Sequence, residues 1–216
     1  MGILNIFKKK QVNSTKINSE DNLIISLKVM SILDIILEPE KSWLRYINYS
    51  MQDNVKIYNI DNGNGDTLKI FVLDDEILIK GFDHENELNQ ISKDEWDKNF
   101  FEYIYSGIPD SLKKLLTKED INYTTFVMWY NTVSDSWDQN EIKENDGGKK
   151  YLLGFIKRNA EEWCDWAKYY YEKEFNFDVI KKIYDTHDVT IDQIKMINSE
   201  IDANVIVEKL KISNLL

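Results

Sequence analysis

Three features of the sequence predict an α+β fold. Two β-rich runs, Thr67 to Leu73 and Glu76 to Phe82, are separated only by Asp74-Asp75, the pattern of a β-hairpin at about 67–82 in an antiparallel sheet. From Asn159 onward the chain carries successive helical patterns, one of them opened by a capping box at Thr190. No internal repeat or low-complexity linker interrupts the chain. The expectation is therefore a single domain over 21–216, with a central sheet, flanking helices and a helical C-terminal third.

Residues 1–20 read as a basic flexible tail, with four lysines and no acid before Glu20. Its apolar start is too short for a secretory signal, and its positive charge comes after it rather than before. Gly2 lacks the Ser or Thr that myristoylation needs at position 6, which is Ile6. Asn22 to Leu37 has helical spacing, and Pro39 ends it. Trp43 to Tyr49 suits either strand or helix. Val55 to Ile60 alternates as a strand and leads into Asp61-Asn62-Gly63-Asn64-Gly65-Asp66, a turn cluster of residues that tolerate positive φ or cap their own backbone.

The hairpin follows. Pairing across Asp74-Asp75 sets Val72 opposite Ile77, Ile70 opposite Ile79 and Leu68 opposite Gly81 on an apolar face. On the other face Lys69 opposes Lys80, and directly opposed like charges are unfavourable. Acids from elsewhere are therefore expected beside the lysines, on a partly wet face. Ser92 with Glu95 has capping-box spacing for a helix within 92–105. Pro109 opens a short helix to Leu116. Tyr123 to Asn131 and Tyr151 to Ile156 read as strands, with a loop at 140–150 between them. In the helix from Asn159, Ala160, Trp163, Cys164, Trp166, Ala167, Tyr170 and Tyr171 share one arc. Phe177 to Tyr184 continues helically, the capping box Thr190 to Gln193 opens another helix, and a last one runs over about 202–211.

The net charge of −11 disfavours a nucleic-acid backbone as partner and suits a basic one. The single cysteine, Cys164, excludes an internal disulfide and any multi-cysteine zinc site; it fits a reducing cytoplasm. No apolar run is long enough to cross a membrane. No phosphate-binding glycine loop, nucleophile elbow or HExxH is present. Counting from Asp61, the EF-hand's twelfth position is Val72 rather than Glu, so the turn cluster reads as a structural turn. Cys164 on its apolar arc reads as core. In an extended strand Asp83 and Glu85 share one face and His84 the other, so a chelate of the three needs a bend. The only other histidine is His187. No catalytic set, metal or cofactor is expected.

The run Ile77 to Leu88, ILIKGFDHENEL, resembles a signature of a Gram-positive bacterial family with a GFDHE motif. The shared features are the Asn-Gly turn before the hairpin, Gly81 to Glu85 after it, Gly107-Ile108-Pro109, and a Trp-rich late helix. Where the family pattern has Ser and then Pro beyond the motif, this chain has Asn86 and Asn89. The resemblance implies an immunity protein encoded beside a polymorphic toxin.

Together these readings predict a non-enzymatic cytoplasmic interaction protein whose partner is a protein, in particular a basic toxin. Nucleic acid and stable membrane insertion are not expected. From Asp74 to Glu102 ten acids face three lysines, a net of −7. The candidate partner-binding residues are Asp83, His84, Glu85, Glu87, Trp96 and Trp137, the last placed by its polar neighbours in an exposed loop. The alternatives are a metal-dependent enzyme at Asp83, His84 and Glu85, and a regulatory domain. The polar half of the tail lacks periodic apolar positions and its apolar half is too short to make a core element, so a chain starting at Asn18 should melt at the same temperature as the full chain in calorimetry.

Overall fold

The computed structural model describes residues 20–140 and 142–216; the basic tail lies outside them, apart from its last residue. The fold is α+β. Six strands lie in the order β1 (Ile47–Gln52), β2 (Val55–Asp61), β3 (Thr67–Leu73), β4 (Glu76–Phe82), β5 (Phe126–Asn131) and β6 (Ser136–Gln139). The helices are α1 (Glu20–Leu37), α2 (Lys98–Ile104), α3 (Asp110–Lys113), α4 (Lys118–Asn122), α5 (Lys149–Leu153), α6 (Ala160–Tyr170), α7 (Phe177–Thr186), α8 (Ile191–Ile197) and α9 (Ala203–Ile212). The chain divides into two compact units, one of residues Met51–Phe155, the other joining residues 20–50 to Ile156–Leu216.

In the first unit the hairpin has the expected register: Val72 pairs with Ile77, Ile70 with Ile79, Leu68 with Gly81 and Lys69 with Lys80. β5 extends it antiparallel, with Gly81 opposite Phe126, and β6 pairs with β5. Gly81 has a packing reason: a Cβ there would lie 2.1 Å from the Phe126 ring and 2.7 Å from Leu152 of α5. The face carrying Lys69 and Lys80 is drier than expected. Phe71, Leu78, Val127 and Trp129 are buried there with Phe100, Phe101 and Ile104 of α2, together with Tyr105, Ile108 and Leu112.

The opposed lysines do find an acid. Asp120 of α4 is 2.7 Å from Lys69 Nζ and 3.8 Å from Lys80 Nζ. Lys80 is 3% exposed, and its ammonium also donates to the carbonyls of Asp120 (2.9 Å) and Tyr123 (2.6 Å). Burial pulls the Lys80 pKa down to about 8, partly countered by Asp120, while Lys69 lowers it further. The Asp120 carboxyl is pushed up by burial, but hydrogen bonds from Lys69 and Thr117 outweigh that and hold it below its ordinary value. Asp120 also completes the capping box of α4, accepting from Thr117 N and Oγ1.

The second unit packs α1 against α7, α8 and α9, and α6 against α7. From Val29 to Ile36 every side chain of α1 is buried, so this stretch lacks the one-sided pattern its spacing suggested. Its polar residues are satisfied locally: Ser31 Oγ donates to Leu27 O at 2.8 Å. Asp34, 1% exposed, accepts from Ile47 N at 2.8 Å and Tyr171 OH at 2.7 Å. Burial raises its pKa to about 7 against the opposing pull of these donors and Arg45. Asn159, Asn176, Thr190 and Asp202 cap α6 to α9. Cys164 is half-buried, and burial lifts its thiol to about 11.

Four local expectations are corrected. The helix expected from Ser92 begins at Lys98, where Asp97 accepts from Asn99 N and Phe100 N; the Ser92 hydroxyl instead donates to Asn89 O. Residues 151–156 are not a strand: Gly148 in the left-handed region (φ +78) and the Asp146 carboxylate, which accepts from Lys150 N, start α5. Residues 123–125 precede β5 rather than forming part of it. Trp137 is not exposed; it lies in β6, 7% exposed, edge-on to Tyr130 across the strand pair. Its polar neighbours Ser136 and Asp138 take the opposite side of the strand, which alternates in burial.

Removing one member of a buried ion pair leaves an uncompensated charge. Asp120→Asn should therefore lower the unfolding free energy by about 3–5 kcal/mol in urea denaturation.

Candidate functional site

The hairpin register builds the site. Thr67 pairs with Phe82 at the open end of the hairpin, so the next residues outward, Asp66 and Asp83, are neighbours across the strand ends. The Asn-Gly cluster delivers Asp66. Asp61 Oδ1 accepts from Gly63 N and Asn62 Oδ1 from Asn64 N, both at 2.8 Å, which closes the turn on its own side chains. β4 stops at Phe82, and Asp83 to Asn86 form a turn rather than extended strand. The bend that a chelate would need is therefore present.

Asp66, 4% exposed, is the hub. Its Oδ1 accepts from His84 Nδ1 at 2.7 Å and His84 N at 3.0 Å. Its Oδ2 accepts from Asn62 Nδ2 at 2.8 Å and Tyr151 OH at 3.0 Å. Burial pushes its pKa up, but these four donors outweigh it, and the carboxyl stays below its ordinary value. The hydrogen bond that His84 donates to Asp66 raises the His84 pKa; burial opposes it, and the charges of Asp66, Glu85 and Asp83 add to it. His84 keeps 42% of its side chain in solvent, with Nε2 3.8 Å from Glu85 Oε1.

Asp83 is half-buried. Its backbone N–H donates to Thr125 Oγ1 at 3.0 Å, and that hydroxyl lies 2.7 Å from Gly147 O. Gly148 closes the other side: a Cβ there would stand 2.4 Å from Asp83 Oδ2. Asp66, Asp83 and His84 each bring one ligand atom within 4.8 Å of the others. Glu85, expected beside His84 and Asp83, points largely into solvent; Asp66 takes the place it was expected to fill.

Of the other candidates, Glu87 is exposed and Trp96 is 43% exposed, stacked on Phe101 at 4.7 Å. Both belong to the same loop as Asp83, His84 and Glu85. Trp137 is buried and does not join them. His187 caps the end of α7 in the left-handed region (φ +57). Sequence reasoning missed Asp66, Asn62 and Tyr151. One more step along the Thr67–Phe82 pairing would have reached Asp66.

Chemically, the cluster is a carboxylate–imidazole pair with an open imidazole edge and a second carboxylate alongside. Comparison of the chain with protein-family models, with curated proteins and with solved structures finds no match. No described helix is long and apolar enough to cross a membrane.

Asp66 holds the proton on His84, so Asp66→Asn should lower the pH at which the His84 ring titrates. An NMR titration of the ring protons measures the shift, with His187 as the internal reference.

Proposed function

We propose that this protein is a non-enzymatic binding module that takes a basic protein partner, in the manner of an immunity protein, on the acidic loop between β4 and α2. One observation carries the reading: this loop, residues 83–97, has no regular secondary structure yet is internally braced. Asn89 and Gln90, 5% and 2% exposed, are its pins. Asn89 Nδ2 donates to His84 O at 2.7 Å, and Asn89 Oδ1 accepts from Ile91 N at 2.9 Å. Gln90 Nε2 donates to Leu88 O at 3.0 Å, and its Oε1 accepts from Asp97 N at 3.3 Å.

The braced loop and the first two residues of α2 present nine consecutive exposed residues, 91–99, among them Asp94, Glu95, Asp97 and Trp96 together with Lys93 and Lys98. Loops of this length in compact domains are commonly functional, and a loop held in one shape loses little entropy on binding. Acidic residues at the rim speed encounter with a basic partner, and an exposed tryptophan supplies contact area. The net charge of −11 works in the same direction. The resemblance of the Gly81 to Glu85 segment to a GFDHE-bearing immunity-like family supports the choice of a toxin as that partner.

The product of the adjacent gene is the partner to test, by stopped-flow association at low and high salt. Neutralising Glu85, Glu87, Asp94 and Glu95 together should slow association about tenfold or more at low salt and flatten its salt dependence. Trp96→Ala should speed dissociation. Rates indifferent to salt and to these substitutions would leave the loop's charge as a solubility device.

A further inference from the structure

The pairing of Thr67 with Phe82 leaves two carboxylates, Asp66 and Asp83, side by side at the open end of the hairpin. Neighbouring like charges on paired strands repel unless a cation answers both. The imidazole of His84 stands against Asp66 at 2.7 Å. The three residues supply one nitrogen and two oxygen donors that already converge to within 4.8 Å.

We propose that Asp66, Asp83 and His84 form a binding site for a divalent first-row metal cation of the zinc type. The reading is independent of the partner-binding one, since it concerns the chain alone. Three observations support it. Both carboxylates are positioned by groups outside the trio, Asp66 by Asn62 and Tyr151, Asp83 by Asn86 Nδ2 at 3.4 Å and Glu85 N at 3.2 Å, while Asn89 holds the backbone of His84 through its carbonyl. Such outer hydrogen bonds are what fix metal-ligating carboxylates and imidazoles in place. Backbone without side chains forms the walls of the cluster. A Cβ on Gly148 would meet Asp83 Oδ2 at 2.4 Å, and one on Gly65 would meet the His84 ring at 3.3 Å. One side is open, because 42% of the His84 side chain faces solvent. An ion held here would have three protein ligands and keep coordination positions for water or an incoming donor.

The donor set chooses the class of cation. Imidazole suits zinc, iron, nickel and copper, whereas calcium and magnesium prefer all-oxygen sites with more ligands. Ligand atoms bound at about 2.0–2.1 Å to one ion sit roughly 3 Å apart, so the 2.7 Å contact between His84 Nδ1 and Asp66 Oδ1 needs only a small opening to admit it. Binding replaces the proton between these two atoms with the metal, and that proton leaves to solvent.

Isothermal titration of the full chain with zinc chloride alone tests the site. One zinc per chain is expected, weakened at least tenfold by Asp83→Asn and by His84→Gln, and unchanged in His187→Gln. Calcium and magnesium should bind far more weakly than zinc. In the unsubstituted protein, zinc should shift the His84 ring resonances and leave those of His187 in place, which checks the site even if a variant folds poorly. Absence of saturable one-to-one binding up to millimolar zinc would overturn the proposal. So would native affinity in both variants, or a zinc-induced shift at His187 instead of His84.

Discussion

The first unit depends on how two lysines on one strand pair are accommodated. Lys69 and Lys80 lie directly opposite each other on β3 and β4, and one of them is sealed from water. A sealed ammonium is tolerated only when anions and carbonyls surround it. Asp120 meets that requirement and in doing so fixes much else. Its carboxylate reaches both lysines and caps α4, and its carbonyl takes the Lys80 ammonium. Thr124 donates to the same carbonyl at 2.7 Å, and the Tyr105 hydroxyl lies 2.6 Å from Thr124 Oγ1. The approach to β5 and the end of α2 are therefore anchored to one charge cluster on the sheet, which also dictates where the apolar cover of that face can lie.

Legibility in the sequence followed the range of the determining interactions. The hairpin was readable because a two-residue turn and a four-residue loop give the same pairing, so Val72–Ile77 and Ile70–Ile79 did not depend on the turn. The like-charged pair announced its acid, though not that it would be Asp120, some forty residues further on. Helices with side-chain caps at Asn159, Thr190 and Asp202 were visible because a cap is a local bond. α5 was not: the Tyr-Leu-Leu-Gly-Phe-Ile stretch has no period, and the helix start depends on a left-handed Gly148 and a bond from Lys150 N to the Asp146 carboxylate. Ser92 offered a cap by its spacing to Glu95, but its hydroxyl turns to Asn89 O, and Asp97 caps α2 instead. Trp137 misled because its sequence neighbours are polar, yet in a four-residue strand the neighbours occupy the other face. At the candidate site, the Asp83–His84 half was legible and the Asp66–Tyr151 half was not, since Tyr151 lies 85 residues from Asp66 and no local pattern links them.

The rim cluster and the acidic loop are physically continuous. His84 is at once the partner of Asp66 and, through its carbonyl, the anchor of Asn89. The stretch after β4 is therefore fastened at its root to the Asn-Gly turn and to α5, and the exposed residues 91–99 extend from a fixed base. Asn86 Oδ1 accepts from Leu88 N at 3.0 Å, and Asn89 bonds through both ends of its amide, so two asparagines brace this segment with their side chains.

Asp34 gives the helical unit a dependence on its buffer. Its carboxyl ionises near pH 4 in an unfolded chain but at about pH 7 in its buried position. Folding therefore takes up a proton wherever the solution lies between those values. The associated stabilisation is complete below about pH 4 and drains away as the pH climbs through 7, opposite to the usual salt-bridged aspartate. At this carboxyl the helical unit gains from a mildly acidic solution, and unfolding measured near neutrality will release acid in proportion to the fraction of chains that open.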